Sequence, residues 1–399
     1  MIQVRKECTG CMACVNSCPA DAFRIVTDEY AYLMPEPDGK KCIECGLCEQ
    51  VCPLERERPA PTLPVRAYSG FSKSEEVVRI SSSGGVFYTL AQDILDQGGI
   101  VFGCYYDPEK KEARLEDTDQ LPLESLLTSK YVESSVGVGY RRIRSELDAG
   151  RQTLFCGTPC QAAGLKAFLR KDYPNLLLAD FACGAVASNR YLRDYLLEME
   201  DRYSSRLGRV LFRDKHYGWG QNCMLLEFEN GKHYRKTALS DPYFFCFLRS
   251  SMQRLSCHGC LFSDAHQSDL CLSDFWKCDD FDVERNDRKG LSLILAFTEK
   301  GEERIRRISG EMHLEELDLE DASYHLQKRI CPEEKLPEIF RDMDSACHEG
   351  VRKLRRRLLS PGQRARLALR QFVMDRPVLA RRFPGLVGRG QIMEKKGEK

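Results

Sequence analysis

Apolar and polar positions set out a chain of alternating elements from Ser81 onward. Residues 84–97 carry apolar side chains at helical spacing and stop at Gly98-Gly99; Ser81, Ser82 and Ser83 stand before them as candidate caps. Residues 100–106 then read as a strand. Residues 153–156 form a second apolar strand, which leads through Gly157-Thr158-Pro159-Cys160 into a helix over 162–169. Residues 176–182 are another apolar run, closed by Cys183-Gly184. Asn230-Gly231, flanked by 223–229 and 232–235, is the strongest short hairpin signal in the chain. A further strand over 291–297 precedes a charged helix over 299–308. Strands alternating with helices predict a mixed sheet under helical cover, an α/β or α+β class.

Both flanks differ from this middle. Residues 56–64 (RERPAPTLP) are charged and proline-rich and read as a linker. Beyond Cys331-Pro332 the chain turns helical and basic, with 350–359 rich in arginine and Pro361, Pro377 and Pro384 breaking it into short pieces. Three regions follow: 1–58, an α/β domain over 66–325, and a basic helical tail over 331–399. The formal net charge of zero hides this polarity, because residues 351–399 hold fifteen Lys and Arg against three Asp and Glu. A solvated helical appendage accounts for such a tail more simply than a binding arm. Its aromatic residues, Phe372 and Phe383, are too few for base stacking along a nucleic acid. With 42% hydrophobic and 30% charged residues the composition is that of an ordinary soluble domain. No run of about 18 apolar residues predicts a membrane span, and no apolar signal region opens the chain.

Cysteine spacing changes the picture. Cys8, Cys11, Cys14 and Cys18-Pro19 repeat as Cys42, Cys45, Cys48 and Cys52-Pro53. Each run reads C-x2-C-x2-C-x3-C-P, the bacterial ferredoxin pattern for a [4Fe-4S] cluster, in which the fourth cysteine serves the other cluster. Cys8, Cys11 and Cys14 therefore pair with Cys52, and Cys42, Cys45 and Cys48 with Cys18. Structural zinc prefers two separated C-x2-C pairs, and a disulfide knot would need an oxidising compartment. The eight thiols predict a dicluster module that moves single electrons, in the cytoplasm of an anaerobe.

A second constellation is looser. Cys160 and Cys183 each follow a predicted strand, where open α/β sheets gather ligands. Cys257 and Cys260 add a C-x2-C pair. Four thiols from three segments suit a third [4Fe-4S] cluster, a zinc ion, or plain burial, with Cys156, Cys271 and Cys278 as competitors. Ser82, Ser83, Gly84 and Gly85 open a helix that either meets a phosphate or is simply capped. The segment His216-Tyr217-Gly218-Trp219-Gly220 suits a flat ring system, or a tight loop. His216, His258 and His266 lack a companion serine or carboxylate pattern, so no hydrolase triad is expected and no catalytic residue is assigned.

Taken together, residues 66–325 resemble the beta subunit of coenzyme F420-dependent hydrogenases and dehydrogenases. The resemblance rests on SSSGGVF (81–87), GGIVFG (98–103), SKYV (129–132), GTPCQ (157–161), RDKHYGWG (213–220) and SDFW (273–276). It implies an iron–sulfur flavoprotein, with FAD in the α/β domain beside a third [4Fe-4S] cluster held by Cys160, Cys183, Cys257 and Cys260. Ser82, Ser83, Gly84, Gly85, Lys130 and Thr158 become flavin contacts, and the loop of Trp219 is expected to line the pocket. Two departures, Cys183-Gly184-Ala185 for Cys-His-Gly and Ser273-Asp274 for Gly-Asp, bear on the second substrate more than on the thiols. The expected function is an oxidoreductase relaying electrons between the clusters and FAD, with hydride exchange to coenzyme F420 or another small organic molecule. A redox partner protein, such as a ferredoxin or a hydrogenase subunit, is implied. The alternative is an electron-transfer subunit whose catalytic site lies on a partner.

Overall fold

A computed structural model describes residues 1–55, 59–280, 289–323, 326 and 332–387. Residues 56–58 of the expected linker, Cys331 and the last twelve residues lie outside that range.

The amino-terminal part holds one hairpin, β1 (Phe23–Thr27) and β2 (Leu33–Pro37), and two short helices, Ala13–Ser17 and Leu47–Gln50. The two cysteine loops share one backbone device. Positive φ recurs at Gly10 and Met12 after Cys8, and at Glu44 and Gly46 after Cys42. In both loops the N–H two residues on turns back to the first sulfur: Gly10 to Cys8 Sγ at 3.4 Å and Glu44 to Cys42 Sγ at 3.4 Å. The left-handed steps wind the chain tightly enough to aim successive thiols inward. Glycine takes the first step in one loop and the second in the other.

The middle of the chain supplies β3 (Arg66–Ser72), β4 (Ile100–Asp107), β5 (Glu112–Asp117), β6 (Ser134–Ser135), β7 (Thr153–Cys156) and β8 (Leu176–Phe181). Then follow β9 (Leu207–Asp214), β10 (Cys223–Phe228), β11 (His233–Thr237), β12 (Leu270–Asp274), β13 (Ser292–Ala296) and β14 (Met312–Glu316). Nine strands form one mixed sheet in the order β14-β3-β13-β12-β8-β7-β4-β5-β6, and β9–β11 form a second sheet. Strands β4, β7, β8 and β12 run parallel to one another.

These central strands are apolar at most positions because both faces are covered. Ile100, Phe102, Phe155, Leu176 and Leu178 pack with Tyr140, Ile143, Phe168 and the amino-terminal Met12 and Val15. Their neighbours Val101, Leu154, Leu177 and Ala179 face the other way, onto Leu90, Ile94 and Ile305 of the flanking helices. The hairpin at Asn230-Gly231 and the helix over Glu299–Arg307 form where the pattern places them. The helix at the serine run starts later than expected, at Val86, with Gly85 at φ +94° and no side-chain cap. Ser82 and Ser83 spend their hydroxyls on other segments instead.

The described part of the basic tail is packed rather than solvated. Met343, Ala346, Val351 and Leu354 join the core beneath the second sheet. Gln371 Oε1 accepts from Thr237 N–H and Oγ1–H, each at 3.1 Å. The helix Val351–Leu358 buries Val351 and Leu354 while Arg356 and Arg357 stay exposed.

The amino-terminal part is held to the sheet by two arginines. Arg141 donates to the carbonyls of Val15, Asn16 and Cys18 at 2.9–3.1 Å. Arg254, 3% exposed, donates to Cys8 O at 2.8 Å and Leu33 O at 2.9 Å, and pairs with the buried Glu133. Glu133 in turn accepts from Leu33 N–H at 3.0 Å. Glu133→Ala leaves that guanidinium buried without its carboxylate and is expected to cost about 3–5 kcal/mol, read by anaerobic denaturant unfolding. A cost under about 1 kcal/mol would mean that the pair is solvated in solution.

Candidate redox cavity

Three parallel strands end at one cavity. Beyond β7 come Gly157 and Thr158, beyond β8 come Ala182 and Cys183, and beyond β12 comes Trp276; all line a space of about 500 Å³. Carboxyl ends of parallel strands are where α/β folds bind ligands, and this volume falls within the usual range of about 300–1,000 Å³.

The four thiols of the second constellation converge on this floor. Cys183 and Cys260 line the cavity. Desolvation of the Cys160 thiol raises its pKa well above that of a free cysteine; the neighbouring Cys260, Cys183 and Cys257 push it further. Thr158, which caps the helix Pro159–Leu169, brings Oγ1 to 3.1 Å from Cys160 Sγ. Their competitors are placed differently. Cys156 lines another part of the wall near Lys130, Cys271 lies against Asp180, and Cys278 is buried in the packing around Trp219.

One half of the expected crossed set of amino-terminal thiols is brought together. Cys8, Cys11, Cys14 and Cys52 line one small pocket. Burial pushes Cys11 up to about 12, with Cys8 and Cys52 adding to the rise. Dry thiols raised in this way become thiolates only against a strong cation, which iron supplies. This pocket adjoins the cavity floor. A Cβ added at Gly164, one turn after Cys160, would sit 3.0 Å from Cys11 Sγ. Tyr140 lies between the two sites, and its phenol is raised by burial and by both Cys11 and Cys160.

The opposite wall is one polar network. Ser82 Oγ accepts from Ser129 N–H at 2.9 Å, and Ser82 O accepts from Arg213 at 3.1 Å. Arg213, 5% exposed, forms a two-pronged pair with Asp274 at 2.6 and 3.0 Å and also reaches the Tyr131 hydroxyl. Trp219 Nε1 donates to Asp274 at 2.7 Å. Lys215, its ammonium lowered to about 7 by desolvation, clamps Val78 O and Ser83 O at 2.6 and 2.8 Å. Ser83 Oγ donates to Leu291 O. Thus SSSGGVF, SKYV, RDKHYGWG and SDFW, far apart in the chain, meet as one wall.

Ser82, Ser83, Gly85, Lys130 and Thr158 do line the cavity. Lys130 donates Nζ to Leu127 O at 2.6 Å, and burial lowers its ammonium to about 8. Gly84 does not line the cavity; it lets the loop before the helix Val86–Asp96 pack against β3, since a Cβ there would meet Gly70 O at 2.4 Å. Trp219 is displaced too. It lies behind the wall and stacks on Trp276 at 4.7 Å, and Trp276 is the ring at the mouth. Phe181, Leu248 and Trp276 line the opening while remaining 38%, 43% and 42% exposed. Apolar side chains left in water around a cleft mark a binding edge.

The residues fit a phosphate-bearing aromatic cofactor. Ser81 and Asn222 line the cavity, and their buried Oγ and Oδ1 atoms have no partner among the described residues. Such groups are costly unless a ligand satisfies them.

One wall feature escaped the spacing argument. His266 lines the cavity, and its Nδ1 lies 2.8 Å from both carboxylate oxygens of Asp180. Asp180 is the acidic residue inside the apolar run 176–182, and an isolated carboxylate in a buried strand was the signal available.

Residues 150–322 match the family described as the carboxyl-terminal part of the coenzyme F420 hydrogenase/dehydrogenase beta chain, and residues 7–56 match a 4Fe-4S dicluster domain. The two matched segments do not overlap, and the dicluster domain lies ahead of the other. Ferredoxin-1 of Caulobacter vibrioides is 38% identical over 58 residues, 14% of this chain and 47% of that protein. The match therefore spans about half of that ferredoxin's length. A structure of the F420-reducing [NiFe] hydrogenase complex from Methanosarcina barkeri, prepared with xenon, aligns over 76% of this chain and 96% of its own, at 14% identity and a TM-score of 0.44.

Two tryptophan substitutions separate wall from mouth. Trp219→Ala removes a buried ring and is expected to cost about 3–5 kcal/mol of stability. Trp276→Ala should leave unfolding nearly unchanged and weaken binding of an added flavin or deazaflavin by about tenfold, within the range for loss of an aromatic contact. Equal effects of both on unfolding would contradict this placement. Gly164→Ala should displace the Cys11 loop at a cost of about 1–3 kcal/mol, read by anaerobic denaturant unfolding.

Proposed function

We propose that this chain is an iron–sulfur flavoprotein that converts single electrons into hydride transfer. Residues 1–58 would hold two [4Fe-4S] clusters, residues 66–325 a third cluster and FAD, and the tail from 331 would brace the second sheet. The observation that carries this reading is convergence: four cysteines from three segments meet at the floor of a cavity whose other wall is built from the family's motifs. The packing of Cys11 against the helix of Cys160 supports an order for the relay. Cys18, Cys42, Cys45 and Cys48 would lie outermost, Cys8, Cys11, Cys14 and Cys52 next, and Cys160, Cys183, Cys257 and Cys260 beside the cavity.

Bound in the cavity, FAD would supply the chemistry that links one-electron and two-electron steps. The chain's own residues do the rest. Ser81 and Asn222 offer unspent hydrogen-bonding atoms inside, and Gly85, Val86 and Phe87 at the start of the helix Val86–Asp96 line the same space. The Gly10 and Glu44 N–H groups would soften the charge on the Cys8 and Cys42 sulfurs and so raise the potential of the clusters these residues would hold. Phe181, Leu248 and Trp276 leave an apolar edge for a second flat substrate, coenzyme F420 by the family's description or another organic hydride carrier.

A redox partner protein would exchange electrons at the amino-terminal module, where Cys45 is exposed. Among the described residues no helix is long and apolar enough to cross a membrane. An electron-transfer subunit serving a catalytic site on a partner is the second reading, favoured by the dicluster module alone. Anaerobic purification with iron, sulfide and flavin quantitation decides between them. About twelve iron atoms and one FAD per chain are expected. Eight iron atoms without flavin would leave only the electron-transfer subunit.

A further inference from the structure

The cavity contains a proton-handling pair that neither the motifs nor the electron relay uses. Asp180 is fully buried at the end of β8, and His266 is 4% exposed on the segment that follows the Cys257-Cys260 pair. The imidazole is fixed on several sides. Nδ1 faces both Asp180 oxygens at 2.8 Å and the ring stacks on Phe297 at 5.2 Å, while Thr62 Oγ1 anchors the backbone by donating to the His266 main-chain carbonyl at 2.9 Å. With Nδ1–H held by the carboxylate, Nε2 is the nitrogen left to serve the cavity that His266 lines. A buried carboxylate fixing one tautomer and stabilising the imidazolium is the arrangement that makes histidine an acid–base catalyst.

We infer that the Asp180–His266 dyad is the proton donor and acceptor for the hydride chemistry of this cavity. The inference rests on the flavoprotein reading and adds to it. A hydride equivalent is two electrons and one proton. The electrons arrive singly, one from each of two reduced clusters, which are oxidised in turn; thiolate-held iron brings no proton with them. The proton therefore needs its own source, and the charged groups of the far wall, Arg213, Asp274 and Lys215, are committed to structure. His266 gives it from Nε2: that N–H bond breaks, a bond to hydrogen forms on the acceptor ring, and neutral imidazole remains with Nδ1–H on Asp180. Water at the open mouth restores the proton. In the opposite direction Nε2 accepts it.

Cys271 lies in the same cluster, its sulfur and the two dyad groups having ligand atoms within 4.8 Å of one another. A metal ion bound through Nδ1 would displace the hydrogen bond that this nitrogen already makes to Asp180. The geometry points to the hydrogen-bonded dyad instead.

The test uses the full chain, loaded with clusters and flavin without oxygen. Electrons are delivered one at a time by photoreduction, and loss of flavin absorbance is followed in H2O and D2O. His266→Gln keeps a hydrogen bond to Asp180 and should fold; His266→Ala opens space for added imidazole. Both should retain wild-type iron, flavin and cluster resonance signals. Both should bleach the flavin about 10²-fold more slowly, within the range for loss of a general acid. Added imidazole should restore bleaching in the alanine variant only, and the wild-type solvent isotope effect should return with it.

Bleaching within threefold of wild type at full flavin content would overturn the dyad's role. So would loss of one zinc or iron ion beyond the clusters from either variant, which would assign the trio to a metal. Absence of flavin from the wild-type protein would instead overturn the flavoprotein reading itself, and the dyad's role with it.

Discussion

Arg254 cannot be buried unless acceptors surround it, and meeting that demand joins the two ends of the structure. A guanidinium out of water requires a carboxylate and carbonyls in fixed positions. Glu133 supplies the carboxylate from the α/β domain, and Cys8 O and Leu33 O come from the amino-terminal part. The side chain packs so closely over the first cysteine loop that a Cβ at Gly10 would lie 2.9 Å from Nη1. The residue also starts the turn that presents Cys257, through Cys257 N–H to Arg254 O at 2.9 Å. One cation thus fixes the position of a loop in the dicluster module relative to a thiol of the cavity floor. The two regions could not drift apart without stranding a charge.

The same logic operates on the cavity's far wall. Arg213 and Asp274 form a bidentate pair, and the arginine's further donations go to Tyr131 and Ser82, both on segments that line the cavity. Trp219 closes the network and supports Trp276. Rigid polar connections at the back and exposed rings at the front divide the labour: the back sets the cavity's shape, and the front is left to meet a substrate.

Much of this was legible in the sequence, for reasons that differ by element. The central strands and the Asn230-Gly231 hairpin follow from apolar runs and turn chemistry, which are local. The eight amino-terminal cysteines declare themselves by spacing, because a cubane cluster needs ligands from a tight loop. The second thiol set is spread over about a hundred residues, and only the fold brings it together. Gly84 and Trp219 suit ligand contacts by residue type, yet one serves close backbone approach and the other supports a neighbouring ring. Asp180 and His266 are 86 positions apart, so no local pattern could join them. The basic tail misleads most plainly, since its many arginines draw attention from Val351 and Leu354, which help to dock it.

The eight amino-terminal cysteines differ in their access to water: Cys11, Cys14 and Cys48 are buried, whereas Cys45 is exposed near Ile43, itself 64% exposed. The opening that lets a partner approach within reach of the outermost centre also admits dioxygen. Oxidative damage in the proposed relay would then begin at its outer terminal. Such an injury would act as a fuse: the chain would lose its connection to the supply of electrons before the buried thiols Cys11 and Cys14 were reached.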